Sequence, residues 1–237
     1  MSDTVTLTID GKAITARAGE TILQAAARNG VYIPRLCAFK DLSPFGSCRV
    51  CTVFVNGRPA AACTQPAAEG MVVENNTDAV NAIRRDLIDM LFVEGNHYCM
   101  FCEKSGNCEL QAMAYRLGIT APRFPYLFPD RDLDMSHPDI YIDRNRCILC
   151  ARCIRASREW DGKQVFEFLG RGAHKRIAVN AVALLSETDA ALSDRAVRAC
   201  PTGALLPKRV GYAVPVGERL YDHQPIGTDI EQGTAVD

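Results

Sequence analysis

The chain of 237 residues is 48% hydrophobic and 23% charged, with a formal net charge of −1. This composition excludes a disordered or fibrous protein, and the near-zero charge gives no field that would steer the chain towards nucleic acid or an anionic membrane. The longest uncharged apolar stretch, around residues 177–186, is about half a membrane span. The N-terminal residues carry neither the basic region nor the apolar core of a secretory signal. We therefore expect a cytoplasmic protein.

The first 77 residues are predicted to form a compact α+β unit. Apolar and polar residues alternate on both sides of the two-residue turn Asp10-Gly11, which is typical of a β-hairpin. Thr21 followed by Gln24 has the spacing of a capping box, so a short helix should begin there. The predicted elements are, in chain order, a strand at 4–9, a strand at 12–17, a helix from Thr21 to about Gly30, a hairpin at 53–62 that turns at Asn56-Gly57, and a strand at 71–74.

The rest of the chain is predicted to contain two further small units. Thr77 is a good N-cap for a longer helix that ends near Gly95, and a second helix should begin near Cys108. Prolines and aromatic residues without periodicity then indicate a connector that lies on protein surface. The predicted division is 1–77, a helical unit at 78–120, the connector at 121–139, a third unit at 140–208, and an extended C-terminal tail at 209–237 that becomes ordered on a partner.

Cysteine is the unusual feature of the composition, with 11 residues. An odd number and a reducing compartment both argue against disulfides. His97 stands two residues before the middle of three cysteine groups, so these side chains together supply ligands for three tetradentate metal sites. The groups are Cys37, Cys48, Cys51 and Cys63; Cys99, Cys102 and Cys108; and Cys147, Cys150, Cys153 and Cys200.

The third group has the most specific spacing. A tight triplet, Cys147-x2-Cys150-x2-Cys153, and a remote Cys200 followed by proline are the ligand pattern of a bacterial-type 4Fe–4S cluster. Zinc is the alternative, but zinc sites generally use pairs of cysteines. The unit is thus predicted to have a two-cluster ferredoxin layout that keeps one cluster. Small residues that are not ligands stand where the second cluster would take its ligands: Ser157, Ala190, Ser193 and Ala196.

The first group has a wider first gap than the plant-type cysteine spacing. Its setting, next to a hairpin and a short helix, still favours a 2Fe–2S cluster, with zinc left open as the alternative. Gly46 and Ser47 would let backbone amides approach the sulfurs.

The middle group, Cys99-x2-Cys102-x5-Cys108, lacks a fourth thiolate. His97 is the predicted fourth ligand. In an extended segment its side chain and that of Cys99 would point to the same side, with Tyr98 turned away.

The three motifs in this order resemble the N-terminal electron-transfer region of the large iron–sulfur subunit of respiratory NADH:quinone oxidoreductase, and the N-terminal cluster domains of some iron-only hydrogenases. Residues 94–99, residues 213–222 and the short chain are most similar to the small diaphorase subunits of cytoplasmic NAD-reducing nickel–iron hydrogenases. The resemblance implies tandem iron–sulfur domains: a β-grasp 2Fe–2S domain on the first group, a 4Fe–4S domain on His97 and the middle cysteines, and a ferredoxin-like 4Fe–4S domain on the third group. One residue separates the histidine from the first cysteine, where the wider family has three.

The sequence contains no Gly-x-Gly-x-x-Gly after a strand and no nucleophile–base or paired-carboxylate arrangement, so we predict no substrate site. The resemblance implies a non-catalytic electron-transfer subunit of an NAD-reducing hydrogenase (hydrogen dehydrogenase). Its partners would be the small and large nickel–iron hydrogenase subunits and a flavoprotein diaphorase subunit, which holds FMN and NAD. The alternatives are the matching subunit of an NADH:quinone, formate dehydrogenase or iron-only hydrogenase assembly, and, from other classes, a multi-zinc scaffold or a nucleic-acid-binding protein. The lack of basic clusters counts against nucleic acid.

Overall fold

The computed structural model describes residues 4–234. Two short segments lie outside the described residues: 1–3 and 235–237. The first belongs to the predicted first domain and to the N-terminus predicted to lack a signal, and the second belongs to the predicted tail. None of the helices within residues 4–234 is both long and apolar enough to cross a bilayer. The strands are β1 (Thr4–Ile9), β2 (Lys12–Arg17), β3 (Thr52–Val55), β4 (Arg58–Ala61), β5 (Val72–Glu74), β6 (Leu133–Asp134), β7 (Ile140–Asp143), β8 (Phe166–Leu169), β9 (Arg176–Val179) and β10 (Leu205–Pro207). The helices are α1 (Ile22–Arg28), α2 (Asp78–Val93), α3 (Glu109–Arg116), α4 (Arg152–Glu159), α5 (Arg195–Arg198) and α6 (Thr228–Glu231).

The N-terminal unit is a mixed five-stranded sheet in the order β2-β1-β5-β3-β4, with β1 and β5 parallel. The alternating residues of β1 place Leu7 and Ile9 in a core that Ile14 of β2 and Ile22 of α1 complete, and all four side chains are buried. The two predicted hairpins are confirmed, with Ile9 opposite Lys12 and Val55 opposite Arg58. The α+β class predicted from the sequence is therefore confirmed.

The three predicted helix starts are observed, the third at Glu109 with Cys108 as its N-cap residue. The Thr21 hydroxyl accepts a hydrogen bond from the Gln24 N–H while the Gln24 side chain accepts one from the Thr21 N–H, which is the predicted capping box. The Thr77 hydroxyl accepts a hydrogen bond from the Val80 N–H and so caps α2. Helix α2 ends at the residue before Glu94, a few residues short of the middle cysteine group.

The third unit is built on α4 and α5, the sheet β10-β7-β6 and the hairpin β8-β9. Its core is aliphatic, with Ile140 and Leu185 fully buried. Strand β6 lies inside the connector that the sequence predicted at 121–139, and its backbone pairs with that of β7. The connector is therefore tied into the third unit at its C-terminal end.

The tail differs from the extended arm that was predicted. Residues 228–231 form α6, and Ile226 and Ile230 are buried in a core shared with Tyr32 and with α3. Ile230 lies within α6, whereas Ile226 precedes the left-handed N-cap residue Gly227 and reaches the same core from the chain before the helix. An ion pair between Arg116 and Glu231 holds the helix. Apolar burial on the chain itself thus orders this part of the tail.

Candidate metal centres

The first cysteine group is gathered by the β3–β4 hairpin and the loop before it. Cys51 and Cys63 flank the two paired strands, and the Ala62 N–H donates to the Cys51 carbonyl at 3.1 Å. Cys37 and Cys48 belong to the preceding irregular loop, where the Cys37 N–H lies 3.3 Å from the Cys48 sulfur. All four side chains are buried.

The sulfurs of this group are close enough to interact directly. Hydrogen bonds from the thiols of Cys48 and Cys63 lower the pKa of Cys37, and the Cys63 thiol also hydrogen-bonds to the Cys51 sulfur and lowers the pKa of Cys51. The Ser47 N–H also donates to the Cys37 sulfur, in the turn where the sequence predicted amide approach. The structure therefore brings the four predicted ligands into one buried site with amide donors on its sulfurs.

The middle group lies between α2 and α3. Cys99 begins a short 3-10 turn, Cys102 ends it, and Cys108 is the N-cap residue of α3. His97 and these three cysteines line a single cavity. Two residues of the third unit, Arg146 and Gly203, also line this cavity.

His97 is held in the manner of a metal ligand. Its Nε2 atom is buried and has no hydrogen-bond partner, which is rare for a buried polar atom. Burial lowers the pKa of His97 to about 4, so the imidazole is neutral at pH 7 and retains a free lone pair. Phe92 packs edge-on against the ring at 5.6 Å, and a Cβ atom on Gly95 would lie 2.6 Å from Nε2. The Tyr98 side chain is exposed, although the residue also borders this cavity.

Two other side chains that could replace His97, those of Asn96 and His137, do not line this cavity, although the Asn96 Oδ1 atom is also buried without a hydrogen-bond partner. The Asn96 amide donates to the Pro129 carbonyl and to Asn145. His137 Nε2 lies 3.0 Å from the Ala190 carbonyl, and its Nδ1 accepts from backbone N–H groups. These contacts leave His97 as the nitrogen donor beside the three thiols.

Burial opposes ionisation of the middle cysteines. It raises the pKa of Cys108 to about 12 and also raises the pKa values of Cys99 and Cys102. A thiol bound to a metal is deprotonated outright, because the metal supplies the compensating positive charge. Three thiols, of which that of Cys108 is buried and those of Cys99 and Cys102 are partly buried, and one neutral imidazole are a donor set that fits an iron–sulfur cluster.

The third group is wrapped by a strained loop. Leu149 and Ala151 have φ angles of 52° and 57°, which are left-handed conformations that cost non-glycine residues on the order of 1 kcal/mol or more each. They alternate with the cysteines, and the Leu149 N–H donates to the Cys147 sulfur. Burial raises the pKa of Cys147 to about 11 and that of Cys150 to about 12. One apolar cavity is lined by all four cysteines of the group: Cys147, Cys150, Cys153 and Cys200.

The region where a two-cluster ferredoxin would hold its second cluster is filled by polar contacts. The Ser157 hydroxyl accepts from the Val165 N–H at 3.1 Å, and the Ala196 N–H donates to Asp161. Nearby, Lys163 and Asp194 form an ion pair at 2.8 Å. The residues at the four positions, Ser157, Ala190, Ser193 and Ala196, carry no thiol, so a single cluster in this unit stays a prediction.

Residues 4–234 contain no group of three or more His, Cys, Asp or Glu side chains in the arrangement that holds a single metal ion. The four ligands of a cubane are divided among four irons, so they surround the cluster and need not converge on one point.

Sequence reasoning missed Arg152, which connects the three groups. Its guanidinium is 1% exposed, donates to both oxygens of Glu109 at 2.5 and 2.7 Å, and donates to the Ala38 carbonyl at 3.0 Å. Arg152 precedes Cys153, Glu109 follows Cys108 and Ala38 follows Cys37. One side chain therefore ties together a loop from each group, and no local pattern signals it because arginine is usually a surface residue.

Three family descriptions match consecutive parts of the chain. Residues 2–78 match a 2Fe-2S iron-sulfur cluster binding domain, residues 84–123 match an NADH-ubiquinone oxidoreductase-G iron-sulfur binding region, and residues 137–206 match the ferredoxin-like domain of NADH-quinone oxidoreductase subunit 3.

The relatives include both short and long proteins. The NAD-reducing hydrogenase HoxS subunit gamma of Cupriavidus necator is 44% identical over 223 residues, covering 94% of this chain and 95% of that protein. The NADPH-Fe(3+) oxidoreductase subunit alpha of Geobacter sulfurreducens is 37% identical over 86% of this chain, and the mitochondrial NADH-ubiquinone oxidoreductase 78 kDa subunit of Neurospora crassa is 34% identical over 86%. The match spans 24% and 28% of these two longer proteins.

Among solved structures, a chain in the crystal structure of an NAD+-reducing [NiFe]-hydrogenase in the H2-reduced state superposes with a TM-score of 0.91. It is 45% identical in sequence, and the match covers 93% of this chain and 94% of that chain.

Proposed function

We propose a function on the premise that this chain belongs to the family of iron–sulfur subunits that includes the gamma subunit of NAD-reducing hydrogenase. It is an electron-transfer member of an oxidoreductase complex and has 2Fe–2S and 4Fe–4S domains. In our proposal it relays electrons between a nickel–iron hydrogenase module and a flavoprotein diaphorase subunit that holds FMN and NAD. Flow towards the flavoprotein accompanies hydrogen oxidation, and the reverse flow accompanies hydrogen production.

We assign one 2Fe–2S cluster and two 4Fe–4S clusters to the three cysteine groups. The observation that carries this assignment is the grouping of twelve donors into three sites, one of which contains a buried, unpartnered imidazole nitrogen. When bound, these clusters accept and release single electrons. The ligands are Cys37, Cys48, Cys51 and Cys63 for 2Fe–2S; His97, Cys99, Cys102 and Cys108 for the first 4Fe–4S; and Cys147, Cys150, Cys153 and Cys200 for the second.

The chain's own contribution is to hold and insulate these ligands. Apolar walls keep water from the third group, and backbone N–H groups such as those of Ser47 and Leu149 donate to cysteine sulfurs. Hydrogen bonds of this kind stabilise added negative charge and so tune the reduction potential. We propose that the chain has no substrate site of its own and that bond chemistry takes place on partner subunits.

A partner surface is supported by exposed apolar side chains beside the middle group. Met100 and Phe101 are 85% and 72% exposed, although they belong to the turn that carries Cys99 and Cys102. The connector adds Leu127 to the exposed apolar surface. Apolar surface of this kind on one side of a protein generally marks an interface. We propose the small and large nickel–iron hydrogenase subunits and the flavoprotein as partners, in the cytoplasm, where free thiols persist.

Metal analysis tests the cluster assignment. Anaerobically purified full-length chain should contain about ten irons and a matching amount of acid-labile sulfide, and Cys200→Ser should lose about four of the irons. A wild-type value nearer six would mean that one of the cubanes is misassigned, and zinc without sulfide would refute the iron–sulfur reading. Purification of the complex from its source tests the partners, because nickel and FMN should co-purify with this chain.

A further inference from the structure

Four arginine side chains are buried among the described residues, and they fall into two classes. Arg144 and Arg152 form ion pairs with carboxylates. Arg84 and Arg155 lie within 4 Å of no carboxylate oxygen anywhere in residues 4–234. Asp10 and Glu159 act on these two cations only from beyond ion-pair distance. A buried cation without an ion-pair partner is strongly unfavourable, so the second class needs an explanation.

Arg84 reaches from α2 into the first unit. It is 1% exposed, and its guanidinium donates to the Asn75 carbonyl at 2.8 Å, to the Asn75 amide oxygen at 2.7 Å and to the Thr52 carbonyl at 2.9 Å. All of these acceptors are neutral, and Nε is buried without a partner. Thr52 directly follows Cys51, so the cation lies beside the first cysteine group.

Arg155 approaches the same group from the third unit. It is 7% exposed, and its Nη2 atom donates to the carbonyls of Cys37 at 2.5 Å and Cys150 at 3.3 Å. Its other donors go to the carbonyls of Ser43 and Ala151. Glu159, one turn further along α4, accepts from Ser43 and does not reach the guanidinium. Two cysteine groups therefore share this cation.

We propose that Arg84 and Arg155 are the counter-charges of the 2Fe–2S cluster on the first cysteine group, and that Arg155 also acts on the 4Fe–4S cluster of the third group. This inference rests on the cluster assignment proposed above. Four thiolates make such a cluster net negative, and reduction adds one more negative charge. A buried guanidinium therefore binds the reduced form more strongly than the oxidised form.

The expected effect is large enough to measure. At an effective dielectric constant of about 20 and a separation of roughly 10 Å, removal of one unit charge changes the reduction equilibrium on the order of tenfold. For a one-electron couple, a tenfold change corresponds to about 59 mV. Exposed charges have a much smaller effect because solvent and salt screen them.

The test is an anaerobic redox titration of the full-length, cluster-loaded chain, with dithionite as the electron donor and the paramagnetic resonance of each reduced cluster as the readout. Arg84→Gln should make reduction of the 2Fe–2S cluster about tenfold less favourable and leave the third cluster unchanged. Arg155→Gln should make reduction of both clusters less favourable. Arg84→Lys should stay close to wild type because it keeps the charge.

Two matched variants serve as controls. Arg85→Gln removes a half-buried charge from the next position of α2, and Arg158→Gln removes an exposed charge one turn from Arg155 on α4. If the reduction potentials of the Arg84→Gln and Arg155→Gln variants shift no more than those of the controls, the inference is overturned, although the cluster assignment stands. If Arg84→Gln loses the 2Fe–2S cluster, retention of that cluster in Arg84→Lys supports a role for the charge. Loss of the cluster in both variants overturns the inference. Absence of a 2Fe–2S signal in the wild type overturns the cluster assignment and this inference with it.

Discussion

Removal of the Arg152 guanidinium should weaken the contacts among all three cysteine units. Arg152→Met keeps most of the side-chain volume but deletes two hydrogen bonds to Glu109, one to the Ala38 carbonyl, and a cation–π contact with Phe39 at 4.7 Å. Breaking a buried ion pair costs about 3–5 kcal/mol because the partner is left as an uncompensated charge. The Glu109 side chain keeps 20% exposure and can regain some water, so we expect the lower end, about 3 kcal/mol.

The assay is anaerobic thermal unfolding of the full-length, cluster-loaded chain. For a chain of this size, about 3 kcal/mol lowers the apparent midpoint by roughly 6–12 °C. Trp160, the single tryptophan, donates to the Asp41 carbonyl at 2.9 Å and packs against Phe39, so its fluorescence reports on separation of the first and third units. Arg158→Met is the matched control: its ion pair with Glu167 is more than half exposed, so the midpoint should move by no more than about 2 °C.

A double-mutant cycle isolates the ion pair from the loss of side-chain packing. Glu109→Gln leaves Arg152 buried without its carboxylate and should also lower the midpoint. The double variant should be less destabilised than the sum of the two single variants, by about 1–3 kcal/mol. Strictly additive single effects, or a midpoint in Arg152→Met equal to that of the Arg158→Met control, would refute the claim that this pair holds the units together.

Three further outcomes follow from the sites. His97→Ala should lose roughly four irons per chain. His97→Cys should keep the cluster and lower its reduction potential, because a thiolate adds a negative charge. Full iron content and an unchanged spectrum in His97→Ala would exclude the histidine as a ligand. Gly203→Ala would place a Cβ atom 2.6 Å from the Cys102 sulfur, so iron analysis and spectra should show loss of the middle cluster alone, and a fully loaded variant would contradict this geometry. Burial raises the pKa of Asp134, but three hydrogen bonds to its carboxylate outweigh burial and lower it overall. The Asp134 carboxylate should stabilise the fold above the unfolded pKa of about 3.9, and this stabilisation should be lost as pH falls through the lower folded pKa. Asp134→Asn should therefore lower the free energy of unfolding by about 1–3 kcal/mol at pH 7 and flatten the acid limb of a stability–pH curve. Equal acid sensitivity in the variant and the wild type would count against this prediction.

Short-range patterns were sufficient for several helices and strands of the first two units. The Asp10-Gly11 turn, the Thr21 capping box and the Thr77 cap each depend on residues within a few positions of one another, so the sequence predicts each of them and the structure contains each of them. The division of the cysteines into three groups is equally local in origin. The triplet at 147–153 can wrap one cluster because the backbone between its members is too short to reach elsewhere.

Contacts between distant parts of the chain are not predicted by any local sequence pattern. Ile226 and Ile230 are close in sequence, but only the tertiary structure supplies the apolar surface around Tyr32 that buries them. Gly203 and Cys102 are 101 positions apart, and their close approach depends on how the third unit packs against the middle one.

The buried arginines show the same limit most clearly. In the sequence, Arg84, Arg152 and Arg155 are three cations among 27 basic residues, and their helices could as well present them to solvent. The packing of α4 beside α3 gives Arg152 the Glu109 carboxylate, whereas the first cysteine loop offers Arg155 only carbonyl groups. Local spacing thus predicts which side chains bind the proposed clusters. The packing of the units decided which charges surround them, because a charge acts through space and its neighbours come from chain segments far apart in sequence.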